Sequence, residues 1–148
     1  NHIGGPLGVG EFRTRREDVM REWMASIRSL AERPNIRMKI GGMGMAVLGF
    51  GFEQRERPPT AAELASAWTP YIETCVQAFG SKRCLFESNF PVDKQSCSYR
   101  ELWNAFKLIT RGVPLESRSD LFFRTACTTY RLPELERLAD QWLDGYSD

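Results

Sequence analysis

Residues Gly80 to Lys94 read GSKRCLFESNFPVDK, and the fold turns on them. A glycine stop is followed by a short run of strand character, Arg83–Ser88 (RCLFES), and then by a polar, proline-containing turn. A second run of the same kind, Asn35–Ile40 (NIRMKI), lies upstream, and the residues around His2-Ile3 read as the end of an earlier strand. Helical patterns separate the three. Strands separated by helices pair in parallel, through right-handed crossovers. The spacing therefore predicts an α/β order of β-α-β-α-β-α, followed by more helix.

The helix starts carry capping chemistry. Thr14-Arg-Arg-Glu17 has the form of a capping box ahead of an apolar stripe at Met20, Trp23, Met24, Ile27, Leu30 and Ala31, which Pro34 ends. Thr60-Ala-Ala-Glu63 repeats the form. Pro70 is expected to break that helix, with Thr69 as a new N-cap before a segment carrying Ile72, Cys75, Val76 and Phe79. Ser98-Tyr-Arg-Glu101 opens another helix, stopped by Gly112. Ser117–Asp120 opens a fourth through about Tyr130, and a last, acidic helix is expected from Glu134 to about Leu143. The four tryptophans, Trp23, Trp68, Trp103 and Trp142, fall on these helices and are expected in the core.

Composition narrows the function. The chain has 148 residues with 20 Lys plus Arg against 19 Asp plus Glu, so no general attraction to polyanions is expected. Its 42% hydrophobic content fits a globular protein rather than a disordered one. The first ten residues have no signal-peptide pattern, and no apolar run approaches the length of a membrane span. Cys75, Cys84, Cys97 and Cys127 match no zinc-ligand or Cys-x-x-Cys spacing, and reduced, partly buried thiols of a cytoplasmic protein are expected. A complete (β/α)8 barrel needs about 200 residues or more. Three parallel strands would leave two open sheet edges, and Asn1 is not a start residue, so the chain is expected to lack upstream elements.

The glycine-rich stretch Gly41–Arg57 has neither the third glycine of GxGxxG nor a GK[ST]. It is expected to be a mobile, partly apolar loop beside a site rather than a phosphate cradle. In a parallel α/β barrel the chemistry lies at the C-terminal strand ends. That places Asn1–Pro6, Lys39–Met43 and Phe86–Pro91 on one face.

These segments resemble the amidohydrolase-2 family of TIM-barrel metal-dependent hydrolases, which includes decarboxylases and sugar or pyrone lactonases. NHIGGPLG resembles that family's sixth strand end, NIRMKIGGMGM its seventh, and GSKRCLFESNFPVDK its eighth-strand signature. LFFRTACTTYRL resembles the helix after the barrel. The resemblance implies a single domain, residues 1–148, forming about strands six to eight of a (β/α)8 barrel with C-terminal helices. It implies hydrolysis of a lactone or amide, or decarboxylation, of a small carboxylated or cyclic substrate. One divalent metal, zinc first, is implied, with most of its ligands outside this chain. This chain by itself is expected to be inactive. The alternative is a non-catalytic piece or degenerate barrel with only an assembly role.

The same resemblance assigns His2, the sole histidine, the role of acid/base group, which suits an imidazole because its pKa lies near working pH. Asn89 stands where the family has a metal-binding, water-activating aspartate, and an amide cannot take up a proton. Strand residues two apart share a face, so Glu87 and Asn89 are expected to point into the barrel together. Glu87 either supplies the relocated carboxylate or pairs structurally with Lys39. Lys39 is a candidate contact for a substrate carboxylate, and Met43 a candidate pocket lining. Asp93 is a further carboxylate, of a kind that more often caps a turn. Expected partners are a small-molecule substrate, the remainder of the barrel and further copies in a homo-oligomer, with no nucleic acid and no membrane.

Overall fold

Two short strands, β1 (Met38–Ile40) and β2 (Cys84–Phe86), pair in parallel with Met38 opposite Cys84, Lys39 opposite Leu85 and Ile40 opposite Phe86. The structure, a computed structural model, describes residues 1–135, 137 and 138. The pair is joined by the expected crossover, which contains α2 (Ala61–Phe79). Before β1 comes α1 (Arg16–Ala31), and after β2 come α3 (Tyr99–Ile109), α4 (Leu115–Ser119) and α5 (Thr125–Tyr130). A π-helical turn, Asp120–Arg124, joins α4 and α5 into one rod.

Side-chain alternation divides the strand pair into two faces. Met38, Ile40, Cys84 and Phe86 join the apolar core with Ile27, Leu64, Trp68, Ile72, Leu102 and Phe106. Phe86 stacks on Phe106 of α3 with ring centroids 4.3 Å apart, and Trp68 leans on the same ring. α2 packs most extensively against α3. Lys39, Leu85 and Glu87 occupy the opposite face.

Two helix starts match their sequence signals. Thr60 Oγ1 accepts from the Glu63 amide, and Glu63 accepts from the Thr60 amide at 2.8 Å, completing the box at α2. Ser98 caps α3 by accepting from the Glu101 amide, but the Glu101 carboxylate accepts instead from the Ala61 amide at 2.6 Å. That bond staples the starts of α2 and α3 together.

Four expectations are corrected. Thr14 does not cap α1: Arg15 takes that place, and the Thr14 hydroxyl donates to the Glu11 carbonyl in a preceding 3-10 turn. Pro70 does not break α2. Its missing amide would have bonded Ser66, and both residues are exposed, so water can serve the freed carbonyl. The Thr69 hydroxyl donates to the Ala65 carbonyl rather than capping a new helix. The fourth helix starts at Leu115, behind Pro114, not at Ser117.

The fourth correction concerns the first strand. His2–Gly4 form a 3-10 turn beside β1, with φ of 54° at His2 and 52° at Ile3, and left-handed backbone cannot continue a ladder. The described residues thus hold two strands, not three. The Gly41–Arg57 segment packs its apolar residues onto the core. Leu48 and Phe52 are buried, and Arg16 donates to the Leu48 carbonyl at 2.6 Å. Trp23 and Trp68 are buried as expected and Trp103 is half-buried, whereas Trp142 and most of the last acidic helix lie outside the described residues. All four cysteines are free and buried, and burial pushes the thiols of Cys84 and Cys97 up to about 12. No described helix is long and apolar enough to cross a membrane.

Candidate active site

Three sequence-selected residues meet at one carboxylate. Glu87 follows the last residue of β2, and its amide continues the ladder by donating to the Ile40 carbonyl at 2.9 Å. Its Oε2 lies 2.6 Å from Lys39 Nζ, and its Oε1 lies 2.7 Å from His2 Nδ1 and 3.1 Å from the His2 backbone amide. Nδ1 makes no directed ring hydrogen bond, so its contact with Oε1 is one of proximity. The backbone bond fixes the residue.

Burial pushes the Glu87 carboxyl up, but the Lys39 ammonium and the His2 amide outweigh it and hold the group below the ordinary carboxylate range. The bond to Glu87 in turn raises Lys39 above its usual value, against the opposing effect of burial, and the Tyr130 phenol adds to the rise. Glu87 is therefore ionised and Lys39 charged at neutral pH. Tyr130 belongs to the Tyr-Arg-Leu ending that the sequence displayed without giving it a role.

His2 is held by residues that sequence reading did not connect to it. The Trp23 indole on α1 donates to the Ile3 carbonyl at 2.6 Å, and Ile3 itself is fully buried. Left-handed backbone costs about 1–2 kcal/mol per non-glycine residue. Burying an isoleucine returns about 1.5–3 kcal/mol, and the indole bond adds to it.

The glycines of the loop after β1 have a use other than a phosphate cradle. A Cβ on Gly41 would lie 2.2 Å from the Glu87 carbonyl oxygen, one on Gly42 2.7 Å from His2 Nδ1, and one on Gly44 2.8 Å from Asp93 Cβ and Cγ. Real Cβ atoms do not approach that closely. Each of the three lets the loop backbone lie directly against a different site residue.

Asn89 and Asp93 form the second half of the cluster. Asn89 takes φ of 52°, which asparagine tolerates better than most residues. This turn ends the two-residue alternation, so Asn89 does not join Glu87 as the shared-face argument expected. Its Nδ2 donates instead to Asp93 Oδ1 at 2.7 Å. Asp93 is fully buried, and its Oδ2 accepts from the Gly44 amide at 2.9 Å. Burial raises the Asp93 carboxyl above its ordinary value, and the two donors only partly offset it. Met43, expected to line the pocket, is buried among the core residues at 1% exposure.

These residues do not make a metal centre by themselves. No group of three or more His, Cys, Asp or Glu side chains among the described residues could hold an ion. The Lys39 ammonium already balances the Glu87 carboxylate, which leaves the Asn89 amide oxygen as a single neutral ligand atom.

Comparison with known proteins identifies relatives of the chain. A family model described as amidohydrolase matches residues 1–132. The Sinorhizobium fredii protein y4mH is 40% identical over 110 residues, 74% of this chain and 33% of that protein. An L-fucono-1,5-lactonase of Burkholderia multivorans is 29% identical over 139 residues, 90% of this chain and 43% of the lactonase. A crystal structure of an amidohydrolase from Burkholderia multivorans with bound zinc superposes with a TM-score of 0.71 at 26% identity, covering 89% of this chain and 43% of that one. A second crystal form with bound HEPES gives the same values. The chain thus spans less than half the length of these relatives. With the family model running from the His2 turn through both strand ends to just past α5, the chain belongs to the amidohydrolase family.

Proposed function

We propose that this chain supplies the C-terminal strand ends of a (β/α)8-barrel active site, and that the whole protein hydrolyses a lactone or amide bond in a small carboxylated or cyclic substrate. The observation that carries this reading is the convergence of His2 and Lys39 on the single carboxylate of Glu87, at the C-terminal end of a parallel strand pair. The relationship to a lactonase favours the ester of a lactone over decarboxylation.

In this reading Glu87 keeps its charge and orients His2, because both of its oxygens are already engaged. The imidazole takes the proton of the attacking water and returns it to the departing alkoxide or amine. The Lys39 ammonium faces the oxygen on which negative charge develops, or the substrate's own carboxylate. Zinc in a solved relative makes a divalent metal part of the proposal for the whole protein. The residues of this chain do not fit such an ion alone, so its ligands would come mostly from elsewhere in the barrel.

The deciding experiment is a pH–rate profile of the full-length protein and its Glu87→Gln form on five- and six-membered lactones. A Glu87→Gln form that loses about 10²-fold or more in kcat, with a displaced limb in the profile, supports the assignment. Unchanged activity would sink it.

A further inference from the structure

Asp93 is the fully buried carboxylate of the cluster, and its two oxygens have separate tasks. Oδ2 accepts from the Gly44 amide, and the Ser96 hydroxyl donates to the Gly44 carbonyl at 2.6 Å, so the loop after β1 is held at both of its polar groups. Oδ1 accepts from Asn89 Nδ2 at 2.7 Å, and the Asp93 backbone amide donates to the Asn89 carbonyl at 3.2 Å. Gly44 lies directly against Asp93, since even a methyl group there would sit 2.8 Å from its Cγ.

Asp93 Oδ1 is the acceptor of that bond, so it selects the NH2 end of the Asn89 amide. The amide oxygen is then turned away from Asp93, and no described residue donates to it. We propose that Asp93 is a positioning residue that locks Asn89 in one amide orientation, so that the end of β2 offers ligand a neutral acceptor oxygen. The group of the ligand that meets the Asn89 amide oxygen is accordingly a donor: a hydroxyl, an amide N–H or a water. An oxyanion there would face the amide oxygen with no proton between them. This inference rests on reading the strand ends as the substrate site, but the lock itself can be measured without turnover.

The full-length protein, labelled with 15N and 13C, gives the direct test. Asn89 Nδ2 is expected to show a scalar coupling across the hydrogen bond to Asp93 Cγ, with one of its two NH2 protons protected from exchange with solvent. Asp93→Asn has one amide oxygen in place of two carboxylate oxygens and cannot serve Gly44 and Asn89 at both of their positions, so the coupling and the protection at Asn89 should be lost. On a lactone substrate the same variant should raise KM about tenfold while kcat changes less, the value of one ordinary hydrogen bond. The double variant Asn89→Asp/Asp93→Asn rebuilds the bond with its roles exchanged. It should recover Tm without recovering KM, because a carboxylate now stands at the strand end. Absence of the coupling and of solvent protection at Asn89 in the unmodified protein would overturn the lock. An unchanged KM in Asp93→Asn with the coupling lost would overturn its bearing on ligand. Absence of any turnover, with the coupling present, would instead count against the hydrolase reading alone.

Discussion

On one face of the β1–β2 pair, Met38, Ile40, Cys84 and Phe86 pack into helices that exclude water. On the other, one or two residues away in sequence, Lys39 and Glu87 form an ion pair at about 30% and 11% side-chain exposure, with His2 drawn onto the same carboxylate. The first face stabilises by apolar area, which many residues share. The second concentrates polar groups on three side chains, two of them charged. Stability and chemistry are thus separated across the thickness of a single strand.

That division can be broken from either side. His2→Ala should lower activity of the full-length protein by about 10²–10⁴-fold, with a far smaller change in Tm, as steady-state rates and thermal melts would show. Comparable losses in both would mean that His2 serves the fold. On the helix-facing side the order reverses: Phe106→Ala removes the ring stacked on Phe86 and should cost about 3–5 kcal/mol of stability in denaturant titrations. A loss below about 1 kcal/mol would show that the core does not depend on this stack.

Gly42→Ala lies between the faces. It combines φ of +69° with a contact 2.7 Å from His2 Nδ1, so it should cost about 1–2 kcal/mol and displace the imidazole. Activity reduced well beyond the share of folded protein would mark it as a geometric lesion. The smallest effect concerns pH. The Glu87 carboxyl is depressed on folding, so its stabilisation is complete above the unfolded value of about 4.3 and fades as pH falls through the lower folded one. The stability gap between the unmodified protein and Glu87→Gln, about 1 kcal/mol or less for a partly exposed pair, should therefore close on acidification below that range. A gap that widens would show that Glu87 is not the charged partner.

The helical side of the division was largely legible from sequence. Thr60 and Ser98 announced their helices because a cap depends on residues three apart. Pro70 misled because the pattern of residues does not say that the carbonyl it frees is exposed. At the site, His2, Lys39, Glu87 and Asn89 could be singled out from strand ends and family resemblance. Their supports could not. Trp23 reads as one more core residue of an apolar stripe, and nothing local ties its indole to the Ile3 carbonyl. Asp93 resembles a turn cap until its burial and its two donors are seen. The turn at His2–Gly4 reads as a strand end in sequence because left-handed φ at an isoleucine is written in tertiary contacts, not in composition.

The three loop glycines have an evolutionary consequence. A glycine codon can reach only larger residues by mutation, and at positions 41, 42 and 44 every one of them intrudes on Glu87, His2 or Asp93. In a saturation mutagenesis screen this stretch should look as intolerant as an active site, although none of its side chains does any chemistry. A map of functional positions drawn from such a screen would find the mould beside the residues it shapes.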